Sequence, residues 1–405
     1  MKKRIICHIG IVASIVIVCA AGRPRAQSIF GLNFIGEHRY RGNARHRSLA
    51  FSTLAVPDSA SAITPNTASL ADLKQVTFSI YEVLGLSRIS RGGNVVNQNR
   101  FQLPTVMIAV PIGRGFVCGV GYRTRFESKG DFAFRREFEG DPTPYEIYKR
   151  RSSLFTAPLV LTWKFKELLR VGGELQIERG SIRDQVTIDF EAEGYMPSTS
   201  IQNRIFSGTS WGMYLLITPV SRLSIGAGFD DRISYDVDQE LRFSYEEFNS
   251  VSVDEFTLPP AFSIGVAAGI TERWWMSSTF WSREAPEPRC FEELSGSLGR
   301  EWMIAFGIER RGSPTGGFFS RRPLRFGYYQ NRWHLEFPSG KGIFSRFITF
   351  GTGFPMPGGP GTLDFSIEFG QIGSIDDNGI DEQVVRCGLG LNVSEVWSRR
   401  RGSRR

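Results

Sequence analysis

From residue 75 onward, large apolar side chains alternate with Gly, Ser, Asp, Glu or Arg in segments about ten residues long. Period-two alternation gives a strand one apolar and one polar face. One face of the segment from Trp302 carries Trp302, Ile304, Phe306 and Ile308, and the other Met303, Ala305, Gly307 and Glu309. Leu363, Phe365, Ile367 and Phe369 likewise oppose Asp364, Ser366, Glu368 and Gly370, and Val385 to Val393 oppose Arg386, Gly388, Gly390 and Asn392. In a soluble sandwich the apolar face points inward. In an outer-membrane barrel it meets lipid, and the polar face, with Glu174, Asp364, Glu368 and Arg386 at mid-strand, lines the lumen.

The joints discriminate between these architectures. Gly113-Arg114, Lys166-Glu167, Pro219 to Arg222, Thr271 to Arg273 and Pro355 to Gly361 are short, whereas Glu127 to Lys149, Ile182 to Asn203 and Asp230 to Asp254 read as long polar loops. Short and long joints alternate, as in barrels with tight periplasmic turns and extended outer loops. Runs starting at Gln75, Phe101, Phe116, Leu154, Leu169, Ile205, Leu223, Leu258, Trp274, Gly299, Leu324, Gly342, Leu363 and Gln383 predict an all-β, antiparallel transmembrane barrel of about fourteen strands. Trp163, Phe165, Trp274, Trp275, Trp281 and Trp397 lie near strand ends and suit interfacial girdles.

Residues 1–21 read as a secretory signal peptide: a basic start, an apolar stretch from Ile5 to Val18, then Cys19-Ala20-Ala21 at the cleavage position. Lipidation at Cys19 is disfavoured by bulky Val18 before it. Beyond residue 21 no apolar run is long enough for a spanning helix, so a membrane crossing requires strands. The expected organisation is a signal peptide at 1–21, an N-terminal hatch at 22–74, a barrel at 75–397 and a basic tail at 398–405.

Charge then removes one class of partner. Of the net +8, the signal segment carries three cations and the tail five, leaving residues 22–398 neutral and nucleic acid excluded as a partner. The 41% apolar content, with 44 Gly and 32 Phe, fits a barrel and excludes a disordered chain. Cys118, Cys290 and Cys387 are odd in number and widely spaced, and imply no disulfide framework.

The run from Leu54 to Ala71, with Pro57-Asp58-Ser59-Ala60-Ser61 and Asn66-Thr67-Ala68, resembles the start of the FadL-type long-chain fatty acid transporter family of the outer membrane and its PorV-like relatives. Gly361-Thr362-Leu363-Asp364, Phe369-Gly370, Asp377-Asn378-Gly379 and Val385 to Val393 resemble the last hairpin of those barrels. The resemblance implies an N-terminal hatch inside the barrel. Asn66-Thr67-Ala68 stands where the family has Asn-Pro-Ala, so Asn66 and Ala68 carry over as hatch-motif residues, and how the hatch is held is left open. Trp397 alone represents the terminal aromatic expected by the barrel-assembly machinery.

Enzymatic chemistry finds no footing. Gly208-Thr209-Ser210-Trp211-Gly212 has nucleophile-elbow spacing, but Trp211, Met213, Leu215 and Ile217 alternate straight into a strand where an elbow needs a turn and a helix. His334 near Glu336 has no ligand set with His38 or His46, and Asp376-Asp377-Asn378-Gly379 lacks EF-hand spacing. The expected protein is no enzyme, has no catalytic or metal site and needs no cofactor. It sits among lipids of the bacterial outer membrane. The resemblance implies hatch-gated passive uptake of small hydrophobic, fatty-acid-like molecules. The alternatives are a PorV-like structural or shuttle barrel with secretion-system partners, and a general porin. Phe365 and Ile367 should face lipid, and Glu368→Gln should be tolerated.

Overall fold

The computed structural model describes residues 28–32, 34–135, 144–190, 196–244, 251–287, 297–313, 317–336, 340–356 and 361–395. Residues 1–21, read from sequence as a signal peptide, Trp397 and residues 398–405 lie outside them. Among the described residues fourteen antiparallel strands close into one barrel. They are β1 (Val76–Arg91), β2 (Asn94–Gly113), β3 (Phe116–Arg135), β4 (Tyr145–Phe165), β5 (Leu169–Asp189) and β6 (Ser198–Val220). β7 comprises Leu223–Asp230 and Ile233–Phe243, and β8 comprises Val251–Leu258 and Ala261–Gly269. β9 (Trp274–Arg283), β10 (Ser297–Leu298 with Glu301–Arg310), β11 (Leu324–Glu336), β12 (Gly342–Pro355), β13 (Gly361–Ser374) and β14 (Ile380–Glu395) complete the ring. β14 closes on β1 from Asp381 opposite Ser90 to Glu395 opposite Val76.

Alternation sorts the side chains as the wall requires. Phe262, Ile264 and Val266 on β8, Ile304 and Phe306 on β10, and Phe365 and Phe369 on β13 are exposed on the outer face. Met303, Ala305, Glu309, Asp364, Glu368 and Arg386 on the inner face are buried. An exposed apolar belt around a polar interior is the arrangement that lipid outside demands.

Two sequence-based expectations are corrected here. The long joints are largely strand: β3 runs on to Arg135, β4 begins at Tyr145, and β5 and β6 continue to Asp189 and from Ser198. A strand of 21 residues such as β4 spans about 70 Å, whereas roughly 10 residues cross a bilayer, so these strands project well beyond it. Outside the lipid no apolar face is needed, and alternation gives no signal there. Second, Trp275 and Trp281 point inward. Trp275 is buried against Val56, Ala55 and Ala267, and Trp281 packs on His38 and Tyr40.

The wall is discontinuous between β2 and β3. β2 pairs with β3 only from Thr105 opposite Arg123 down to Gly113 opposite Phe116. The next β2 residue, Pro104, has no N–H to offer a ladder. From Asn94 to Gln102, β2 pairs with β1 alone, so a slit opens between β2 and β3. Phe101 and Leu103 on its β2 lip stand level with the outward apolar Leu84, which places the slit within the belt.

Candidate functional site

Residues 28–74 contact strands on all sides of the ring and run through its interior. Their local structure is set by short caps. Asn43 begins the helix α1 (Ala44–Ser48): its side chain accepts from the N–H groups of Arg45 and His46, and its own N–H reaches the His46 ring at 3.2 Å. Asn66 opens a 3-10 turn, Thr67–Asp72, by accepting from Ala68 N–H at 3.0 Å. Phe34, Ala50 and Phe51 have φ of 63°, 55° and 61°. Bulky side chains adopt that conformation only where surroundings hold them, at a cost of about 1–3 kcal/mol each.

The holding contacts fall into three ion-pair centres. Glu37 lies between Arg39 (3.1 Å), Arg100 of β2 (3.0 Å) and Arg386 of β14 (2.5 Å). Arg41 pairs with Glu174 of β5 at 3.1 Å and Asp230 of β7 at 2.6 Å, and bonds the Tyr214 hydroxyl; Arg123 supports Glu174 at 2.8 Å. Arg45 bridges Asp58 at 2.9 Å and Glu309 of β10 at 3.0 Å, and Arg325 links Glu309 (2.9 Å) to Asp364 (2.7 Å). Arg47, between these centres, pairs with Glu368, which Arg386 also faces at 3.9 Å. Burial raises the Glu37 carboxyl, but Arg386, Arg39 and Arg100 outweigh it and hold it well below the ordinary range. Burial lowers His46 to about 3, so that ring is neutral at physiological pH.

The structure thus gathers Glu174, Asp364, Glu368 and Arg386 on the inner wall, each within an ion-pair network that contacts the N-terminal segment. Asn66 donates to Leu54 C=O at 2.8 Å and to Leu215 C=O of β6 at 2.9 Å, tying two levels of the segment to the wall. Ala68 is fully buried, and a Cβ placed on Gly172 of β5 would lie 2.7 Å from its nitrogen. How the segment is held without the proline is therefore answered by Asn66 and by the ion pairs. Alternation placed Glu309 on a polar strand face without marking it as a site residue, and gave Glu37 and Arg41 no role. The available signal was the string Arg39, Arg41, Arg45 and Arg47 beside a barrel with acids on its polar face.

At the slit, Glu37 and His38 add a two-residue strand to the free edge of β3, opposite Glu127 and Phe126, and Arg39 N–H donates to Arg125 C=O at 2.8 Å. His38 donates from its ring Nδ1 to the Glu301 carboxylate of β10 at 2.9 Å and stacks on Phe126. The segment thus spans from one lip of the slit to the opposite wall. The apolar part of the interior is packed by its own residues: Phe34 lies 5.4 Å from Phe256 and 5.1 Å from His334, and Phe30 lies 6.3 Å from Trp333. Beside the segment are cavities of about 20 Å³ and about 60 Å³, the larger lined by His38, Arg39, Arg41, Arg123, Arg125 and Arg283 among others. Both are far smaller than the roughly 300 Å³ that a small-molecule pocket needs. Among the described residues no cluster of His, Cys, Asp or Glu is placed to hold a metal. Residues 208–212 lie inside the straight strand β6.

The family model for BamG matches residues 1–402. Compared with the curated proteins, the sequence has no match. Among solved structures, the chain is similar to a Pseudomonas aeruginosa FadL homologue (12% identity, TM-score 0.61, covering 89% of this chain and 99% of that one). It is also similar to the Ralstonia pickettii toluene transporter TbuX (12%, 0.58, covering 90% and 100%). The third is the Pseudomonas putida toluene transporter TodX (13%, 0.55, covering 84% and 96%). At such identities the likeness is one of fold. The chain belongs to the BamG family and has the barrel fold of FadL-type outer-membrane proteins.

Proposed function

We propose that the protein is an outer-membrane conduit for small hydrophobic molecules whose N-terminal segment is a hatch, here shut. The observation that carries this reading is the slit between β2 and β3, at the level of the apolar belt and filled by Glu37 and His38. An unpaired strand edge facing lipid costs several kcal/mol per unsatisfied group, and a wall that only seals or scaffolds has no need of one. Withdrawing the Glu37–His38 strand would join the lumen to the bilayer at a height where an apolar solute leaves into lipid without crossing water. The solved structures titled toluene transporters share the fold, which supports the same reading.

The polar, tightly filled lumen favours a second reading, a structural barrel that assembles with other proteins. The family name, BamG, points toward barrel assembly. One variant separates the two. His38 and Phe126 are directly opposed in the ladder, where Cα atoms lie about 4.5–5.5 Å apart, within disulfide reach. H38C/F126C, oxidised, should abolish uptake of a fluorescent fatty acid and of toluene into proteoliposomes, and reduction should restore it. Uptake that ignores the oxidation state, or none from the wild-type barrel, would remove the conduit reading. Stable co-purification with assembly or secretion subunits would then favour the scaffold.

A further inference from the structure

The outer face of β3, β4 and β5 changes character abruptly. On β5 the outward residues Val171, Leu175 and Ile177 are followed by exposed Arg179 and, four residues on, exposed Arg183. The register places Arg183 directly opposite Arg151 of β4, and Arg151 directly opposite Lys129 of β3. Arg179 stands two outward positions lower, opposite Phe155, and Lys149 one outward position higher, opposite Asp131. Three cations therefore lie side by side on adjacent strands about 4.8 Å apart, an arrangement that is destabilising without an anion. Asp131 supplies one, to Arg151 at 2.6 Å. Arg183 has no ion-pair partner among the described residues.

We propose that this row is a docking site for a phosphate-bearing lipid headgroup of the surrounding membrane. Its position selects a lipid over an acidic protein: the cations continue the same outward strand faces that carry the apolar belt, at the height where acyl chains give way to headgroups. Arg179 would meet the phosphate nearest the acyl boundary, and Arg151, Arg183 and Lys129 one farther out. Past β6, β7 carries exposed Asp236 at the level of Arg179 and exposed Asp238 above it, so the row of cations does not continue onto that strand.

The test uses the full-length barrel in nanodiscs containing a phosphorylated glycolipid or its dephosphorylated form, with retained lipid counted by native mass spectrometry. At about fivefold per basic residue, K129Q/R151Q/R183Q should lower retention of the phosphorylated lipid roughly a hundredfold. K129R/R183K should retain it, and D236N/D238N should not weaken it. Heat-modifiable mobility checks that each variant is folded. If the triple variant fails to assemble, the salt dependence of wild-type retention serves instead, and retention that ignores salt overturns the proposal. Equal retention of both lipids, or of wild type and triple variant, overturns it as well. Displacement by millimolar inorganic phosphate alone would assign a free-anion site, and loss confined to an acidic protein ligand would assign a protein surface; either outcome overturns the lipid.

Discussion

Glu37 concentrates the energetics of the interior in one carboxylate. It is buried and faces three guanidinium groups, two of them on wall strands that come from distant parts of the sequence. Removing one charge from a buried pair leaves its partners uncompensated and costs about 3–5 kcal/mol. Glu37→Gln should therefore loosen the segment. Trypsin should then cut at Arg45 or Arg47 in the folded barrel, where wild type, with Arg47 buried, resists. Glu368 revises an expectation drawn from sequence: it is fully buried and pairs with Arg47 and Arg386, so Glu368→Gln should carry a penalty of similar kind. Ile367→Arg, on the lipid face, should cost about 2–4 kcal/mol and impair insertion. Comparing the two by trypsin sensitivity separates a loosened segment from an uninserted barrel. His46 adds a pH dependence. Its docked value of about 3 is depressed from 6.5, so the undocked segment takes up a proton that the docked one refuses as pH falls below 6.5. Docking is thus at full strength above that value and weakens by roughly 2 kcal/mol at pH 5. Faster proteolysis at pH 5 than at 7.5, abolished in His46→Asn, would be the signature.

At the scale of elements, the strands were legible where lipid imposes a two-faced pattern and illegible where it does not. Starts at Phe116, Leu169, Leu223, Trp274, Leu324 and Gly342 coincide with those read from alternation. β2, β4, β6 and β8 begin seven to nine residues earlier than Phe101, Leu154, Ile205 and Leu258, because their distal ends leave the bilayer and lose the apolar face. The slit was not legible, since Pro104 has meaning only once its neighbour strand is known. Inner-face glycines were also ambiguous by sequence, and close approach explains two of them. A Cβ on Gly327 of β11 would lie 2.8 Å from the nitrogen and the Cβ of Ala50, and one on Gly226 of β7 would lie 2.5 Å from the Leu54 carbonyl oxygen. Gly327→Val should push the segment from the wall at a cost of about 1–3 kcal/mol, leaving the barrel inserted and the segment protease-sensitive. An unchanged cleavage rate would show that the wall yields there.

For the whole molecule, the interior charges are shared between wall and segment, so neither is self-sufficient. Deleting residues 27–74 removes Arg41, Arg45 and Arg47 from Glu174, Asp230, Glu309 and Glu368, and removes Glu37 from Arg100 and Arg386. The expected product is an inserted barrel with a wide, hydrated and ion-permeable lumen. Planar-bilayer recording should find steady conductance in the deletion and near silence in wild type. A silent deletion barrel would mean that the wall collapses on itself.

The bridge made by Glu37 also bears on the order of events during biogenesis. It touches β2, which is made early, and β14, which is made last, while its backbone lies along β3. A ring already shut would have to reopen for a separate chain to enter and bury these charges, whereas a segment enclosed at closure can still shift its two-residue strand within the ring. The segment is synthesised first, so β14 can seal against β1 around it, as staves are drawn up around a form. A synthetic peptide of residues 27–74 added during refolding of the deletion barrel should therefore be captured. The same peptide added after closure should not.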